Sequence, residues 1–149
     1  MGSQTAAGSA LAISVATPAT FDATGYAALT FTEIGQIEKI GALGAAFAKV
    51  EFTPLKGPKQ KHKGSVDYGS LQPSLAHDDA DAGQTLLRTA GADATSKLYS
   101  FKVTLADGAK RFFQGRVFGY PETIDGADTI LMAMPTIEID TAIVKVAAT

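Results

Sequence analysis

The chain has 149 residues, 46% of them hydrophobic and 19% charged, and a formal net charge of −2. That length suits one domain burying about two thirds of its unfolded surface, and the composition excludes a disordered chain and argues against a general nucleic-acid binder. The absence of cysteine excludes thiolate nucleophiles, disulfide frameworks and cysteine-based metal sites together.

The N-terminal apolar run Ala10 to Ala16 has no Lys or Arg ahead of it, so the charged start of a signal peptide is missing. Ala6 stands where the myristoylation pattern needs Ser or Thr, and no stretch approaches the ~20 apolar residues of a membrane helix. The chain reads as soluble and unprocessed, with 1–10 as a flexible arm. Leu11 to Val15 and Ala27 to Ile34 have strand patterning, with Gly35 as a bulge or bend and Ile37 and Ile40 continuing the second strand. Lys49 to Thr53 resumes the alternation and places Val50 and Phe52 on one face. Residues 54–65, rich in Gly, Pro and Lys, read as a long exposed loop or the tip of an extended hairpin. Val66 to Leu75 is a weaker strand.

One segment carries strong helix signals, over about 81–90. Asp81 is placed to cap and Gln84 follows three residues later, a capping-box-like start; Leu86, Leu87 and Ala90 form a short apolar face and Gly91 is a natural stop. Beyond it, Tyr99, Phe101, Val103 and Leu105 share one face of a strand, and Asp107-Gly108 is a tight turn. The strand Lys110 to Tyr120 then completes a β-hairpin. Thr129 to Asp140 is strand-like but broken at Pro135, which cannot donate to a ladder. The piece Ala142 to Val146, within a C-terminal arm over 141–149, is a candidate to pair with another chain. The expected architecture is a single, mainly β domain over 1–149: two antiparallel sheets in a β-sandwich or barrel with one short flanking α-helix.

Little in the chain suggests chemistry. The cluster His77-Asp78-Asp79-Ala80-Asp81 lacks the glycine and distal acid of a calcium loop, and acids gather before a helix N-terminus because its dipole and free N–H groups favour them. His62 sits among lysines, no G-x-S-x-G is present, and Gly57-Pro58-Lys59 puts proline where a phosphate loop needs backbone donors. No catalytic residue, cofactor or metal site is expected. The basic run Lys56, Lys59, Lys61, His62 and Lys63 has three readings: contact with nucleic-acid phosphates, contact with an acidic surface of a neighbouring subunit, or a solvated loop. Pro54 to Asp67 contains no Phe, Tyr or Trp to serve as a stacking platform, which sets protein contact slightly ahead of nucleic acid.

The string Ala16-Thr17-Pro18-Ala19-Thr20-Phe21-Asp22-Ala23-Thr24-Gly25-Tyr26, followed by Leu29-Thr30-Phe31-Thr32-Glu33-Ile34-Gly35, resembles the opening of bacteriophage tail tube (major tail protein) subunits. Lys63-Gly64-Ser65-Val66-Asp67-Tyr68-Gly69-Ser70-Leu71, the helix lead-in Asp79 to Leu87, the Asp107-Gly108 hairpin and Thr136-Ile137-Glu138-Ile139-Asp140 extend the resemblance from about Leu11 to Val146. It implies a non-catalytic structural subunit that closes into hexameric rings stacked as a hollow tube in the virion tail, assembled in the host bacterial cytoplasm. Its implied partners are other copies of itself and the tape-measure, tail-tip or baseplate, and tail-terminator proteins, with genomic DNA passing through the lumen without specific binding and no membrane involved. On this reading the basic run supplies ring-to-ring contacts, and Glu33, Glu51, Glu138 and Asp140 are candidates for the lumen lining, which should not hold phosphates. A secretion-system-type tube subunit and a small-ligand-binding β-barrel are the alternatives.

Overall fold

The computed structural model describes residues 3–148. In chain order the elements are β1 (Ala10–Ser14), α1 (Ala23–Ala27), β2 (Thr32–Ile34), β3 (Ile37–Lys39), β4 (Ala46–Phe52), β5 (Gln60–Asp67), β6 (Ser70–Leu71) and β7 (Ser74–Ala76). They continue with α2 (Ala82–Ala92), β8 (Tyr99–Thr104), β9 (Lys110–Gly119), β10 (Glu122–Thr123), β11 (Met132–Ala133), β12 (Thr136–Ile139) and β13 (Val144–Val146).

Antiparallel pairing assembles these into a seven-stranded sheet, β2-β1-β8-β9-β12-β6 with β13 also on β9, a four-stranded sheet, β10-β11-β7-β3, and a separate ribbon, β4-β5. The two larger sheets and α2 share one core, and no sheet closes into a barrel. On the inner face of the large sheet, alternation sends Leu11, Ile13, Phe101, Val103, Phe113 and Ile137 inward to meet Leu75 and Ala133 of the smaller sheet and Leu87 of the helix. Phe101 and Phe113 face each other across the β8–β9 ladder, their rings stacked at 5.4 Å, and each is fully buried. Burial of that kind stabilises by about 1.5–3 kcal/mol per side chain.

The chain steps directly from one sheet to the other at four corners, and proline stands at three of them. Pro73 separates β6 from β7, Pro121 separates β9 from β10, and Pro135 separates β11 from β12. With no N–H to give, proline ends one ladder where the next must begin in another sheet. The fourth corner, between β2 and β3, is Gly35-Gln36, where Gln36 takes the left-handed conformation with φ 61°.

Asp81 and Gln84 tie these corners to the helix. The Asp81 carboxylate accepts from the N–H of Gln84 at 2.9 Å, which caps α2, and from the N–H of Gly35 at 3.0 Å. Gln84 is fully buried, and its Nε2 donates to the carbonyls of Gly35 (3.0 Å) and Ala76 (2.9 Å). Its Oε1 accepts from the N–H of Asp78 at 2.9 Å and the Tyr120 hydroxyl at 3.3 Å. Gly83 lets this happen: a Cβ there would fall onto the Glu33 carbonyl of β2.

Several expectations are corrected. A second helix, α1, stands where strand was expected to begin at Ala27, because the Asp22 side chain caps it by accepting from the N–H of Gly25 at 2.8 Å. The capping box is half formed: Asp81 caps, but Gln84 turns into the core instead of reaching back to Asp81. Gly91 does not stop α2, which runs on to Ala92; its bare Cα faces Val117 and Tyr120 at close range. The loop expected over 54–65 is shorter, since Gln60 onward pairs with β4, as the extended-hairpin alternative required. The C-terminal piece pairs within its own chain, Val144 opposite Phe112 and Val146 opposite Lys110, so one of its edges is already taken by β9. Residues ahead of β1 form a turn, Ser9 N–H to Ala6 carbonyl at 3.0 Å, that lies along Val103 and Leu105. The β8–β9 hairpin follows its expected register, with Gly108 at φ 96° and the Asp107 side chain accepting from the N–H of Ala109.

Replacing Gln84 with Leu keeps the volume and strands two carbonyls, one N–H and one hydroxyl in the core. Each stranded buried group costs about 1–3 kcal/mol, so a loss of at least about 3 kcal/mol is expected in urea unfolding. A change under about 1 kcal/mol would show that water reaches these groups.

Candidate assembly surfaces

The β4–β5 ribbon is the feature of the fold least explained by its own core. Every residue of β4 is exposed, and only Gly64 in β5 is even half-buried. The pairs Phe47–Val66, Lys49–Lys63, Val50–His62, Glu51–Lys61 and Phe52–Gln60 set its faces. Phe47, Lys49, Glu51, Lys61, Lys63 and Val66 share the charged face; Lys49 Nζ lies 3.2 Å from Glu51 and Lys59 Nζ 3.9 Å from it, and Lys63 Nζ sits 4.9 Å above the Phe47 ring. The opposite face carries Val50, Phe52 and His62, with Val50 51% and Phe52 59% exposed. Leu55, at the turn, is fully exposed beside Lys56. The basic residues singled out from sequence are thus gathered on one projecting ribbon, but His62 points to the apolar side and Lys61 and Lys63 to the other.

The acidic candidates divide differently. Glu33, Glu138 and Asp140 stand on the outer face of the seven-stranded sheet, where Glu33 pairs with Ala12 and Glu138 with Arg116. Arg116 Nη1 donates to Asp140 at 3.0 Å and its Nε to the Ser96 carbonyl at 2.8 Å, so this face is mixed in charge, not acidic. Glu51 is not among them; it belongs to the ribbon. Part of the same face is roofed by residues 16–31: Tyr26 stacks on Phe112 at 5.2 Å, Phe31 lies 5.9 Å from Phe112, and the Ser100 hydroxyl donates to the Ala16 carbonyl at 2.7 Å. Burial raises the Tyr26 phenol above its ordinary range.

The acids ahead of α2 have structural work. Asp78 accepts from the N–H of Ala80, Asp81 caps, and Asp79 lies 2.8 Å from Nε2 of His77, whose Nδ1 is 3.5 Å from Glu122. Tyr120 packs edge-on against His77 beneath the Arg88 guanidinium, and burial raises its phenol too. A groove of about 460 Å³ between the N-terminal turn and β3 is lined mainly by apolar groups, among them Ile37, Ile40, Leu43, Val103 and Leu105.

A second exposed apolar surface was not read from the sequence. The β10–β11 hairpin, paired Glu122–Ala133 and Thr123–Met132, ends in a loop on which Ile124 is 77% and Ile130 71% exposed, with Leu131 and Met134 partly so. Its signal is present in Ile124-Asp125-Gly126-Ala127-Asp128-Thr129-Ile130, where isoleucines flank a polar turn with no strand partner long enough to cover them.

This fold is one found in phage-tail-like contractile particles. A chain of the six-fold symmetrised anti-feeding prophage baseplate superposes with a TM-score of 0.73 at 8% identity, over 100% of this chain and 99% of that one. Chains from an extracellular contractile injection system are similar as well. One, from its sheath/tube terminator in the extended state, gives 0.69 at 9% identity over 99% of both chains. Another, from its extended sheath-tube complex, gives 0.67 at 9% over 94% of this chain and 88% of that one. No protein-family model matches the sequence, and no curated protein matches it in sequence.

Because Val50 and Phe52 face solvent, replacing both with Ser should leave urea stability within about 0.5 kcal/mol, whereas Phe101→Ala should cost about 3–5 kcal/mol. A loss above about 1 kcal/mol in the ribbon variant would mean that the ribbon packs on its own body.

Proposed function

We propose that the chain is a non-catalytic structural subunit that assembles with copies of itself into rings stacked as the hollow tube of a phage-type tail. The observation that carries this reading is the β4–β5 ribbon, which projects from a finished core with both faces in solvent. A two-stranded ribbon is marginal alone in water and becomes stable against a partner. The shared fold with tail-like particles, across nearly the whole chain, supports the same reading.

In this reading six copies close each ring and the ribbon reaches the next ring, with Lys56, Lys59, Lys61 and Lys63 set against acids there. The part of the outer face of the seven-stranded sheet that residues 16–31 leave open lines the lumen, where Glu33, Glu138 and Asp140 offset Lys102, Lys110 and Arg116 so that no phosphate is held and DNA slides. The tube ends on tail-tip or baseplate and terminator proteins, encloses a tape-measure protein, forms in the bacterial cytoplasm and ends up in the particle's tail. A second reading has support in the similar structures, two of which belong to an extracellular contractile injection system: the same tube would then pass proteins instead of DNA.

Negative-stain microscopy and sedimentation of the purified protein test the proposal. Rings or hollow tubes are expected, and Lys59→Glu with Lys61→Glu and Lys63→Glu should abolish tubes while leaving urea stability within about 0.5 kcal/mol. A wild-type protein that stays monomeric even with a tail-tip extract added would sink the reading.

A further inference from the structure

The ribbon needs a receiving surface, and the chain carries a matching one. Between Ala46 and Asp67 stand five lysines against Glu51 and Asp67, a net charge of +3. Between Glu122 and Met134 stand Glu122, Asp125 and Asp128 with no lysine or arginine, a net charge of −3. Each segment also presents exposed apolar side chains: Val50, Phe52 and Leu55 on the first, Ile124, Ile130 and Leu131 on the second. The first is a ribbon that stands clear of the core and the second a hairpin at the margin of the four-stranded sheet whose connecting loop is exposed; among the described residues β10 is an edge strand with no neighbour beyond it.

We propose that the β4–β5 ribbon of one copy docks on the β10–β11 hairpin of the next, its apolar face and Leu55 against the apolar loop, with the turn lysines Lys56 and Lys59 against Glu122, Asp125 and Asp128. The occupant is a second copy of this chain because the two surfaces complete each other: a basic apolar donor and an acidic apolar acceptor of equal and opposite charge. Donor and acceptor are different patches, so the contact is heterologous; each copy that receives a ribbon still offers its own, and growth continues. Opposite charges steer the two together and like charges keep ribbon from ribbon, which sets the polarity of the chain of copies. This inference rests on the assembly reading above and adds the acceptor to it.

The chain has no cysteine, so introduced thiols report one contact each. Leu55→Cys and Ile130→Cys are made separately and together in the full chain, then oxidised mildly. A mixture of the two single variants should yield a disulfide-linked heterodimer, and the double variant a ladder of multimers. As a second measurement, Lys56→Glu with Lys59→Glu should raise the concentration needed for sedimenting multimers by about tenfold or more, and adding Asp125→Lys with Asp128→Lys should recover most of it. Crosslinks in Leu55→Cys alone would mean that ribbons meet each other and would overturn the proposal. Multimers that form without the mixed crosslink and without charge-swap recovery would overturn the acceptor while leaving the assembly reading intact. A wild type that never sediments as multimers, with no crosslink in any variant, would end both.

Discussion

The fold depends on one buried amide. Gln84 uses both donors and both acceptor lone pairs of its side chain within a fully buried site, and its partners lie on the β2–β3 corner, on β7, on the loop before α2 and at the end of β9. An amide left unpaired in such a place would cost several kcal/mol, and a satisfied one fixes geometry that apolar packing alone leaves loose. Asp81 completes the lock from the helix end by holding both its own helix and Gly35. The consequence is positional: the two sheets cannot slide over each other without breaking these bonds, so the strands that leave them are presented at defined angles.

Prolines do the complementary work. Three of the four direct crossings between sheets fall at Pro73, Pro121 and Pro135, each at a point where an unbroken ladder would otherwise extend one sheet at the other's expense. The result is a sandwich of short strands with many corners. Its core is finished by Leu87 and Ala90 of α2, which explains why so brief a helix is stable: it is held by its cap, by Gln84 and by the sheet beneath it.

Much of this was legible beforehand because it is written in local pattern. The alternation of Tyr99, Phe101 and Val103, the Asp107-Gly108 turn, the Asp81 cap and the break at Pro135 are all signals carried within a few residues, and each stands as expected. What was not legible depended on distant partners. Gln84 looked like one side of a capping box because sequence spacing shows Asp81 three residues away but not Gly35 and Ala76 in space. The end strand β13 looked free because nothing local reveals that β9 is long enough to carry β12 and β13 on the same edge. The lumen candidates shared a charge but not a surface, since Glu51 belongs to a ribbon that the other three never approach. Val50 and Phe52 share one strand face, as the alternation indicated; the sign that this face stays exposed is the partner strand, since Gln60-Lys61-His62-Lys63-Gly64 has no large apolar side chain with which to sit on a core.

That partner strand also explains how an exposed apolar ribbon is tolerated. Two free strand edges and a face bearing Val50 and Phe52 invite indiscriminate pairing, and lysine is the common guard against it because burying an unpaired ammonium in a sheet contact is costly. Here Lys49, Lys61 and Lys63 occupy one face and Lys56 and Lys59 the turn, so two ribbons approaching each other bring like charges together. On the proposed docking the guard is lifted selectively: a surface that supplies carboxylates beside the turn neutralises Lys56 and Lys59 and at the same time covers the apolar face. On that proposal exposure, charge and apolar alternation are three parts of one device, in which the residues that guard the ribbon against its own kind also decide which surface covers it.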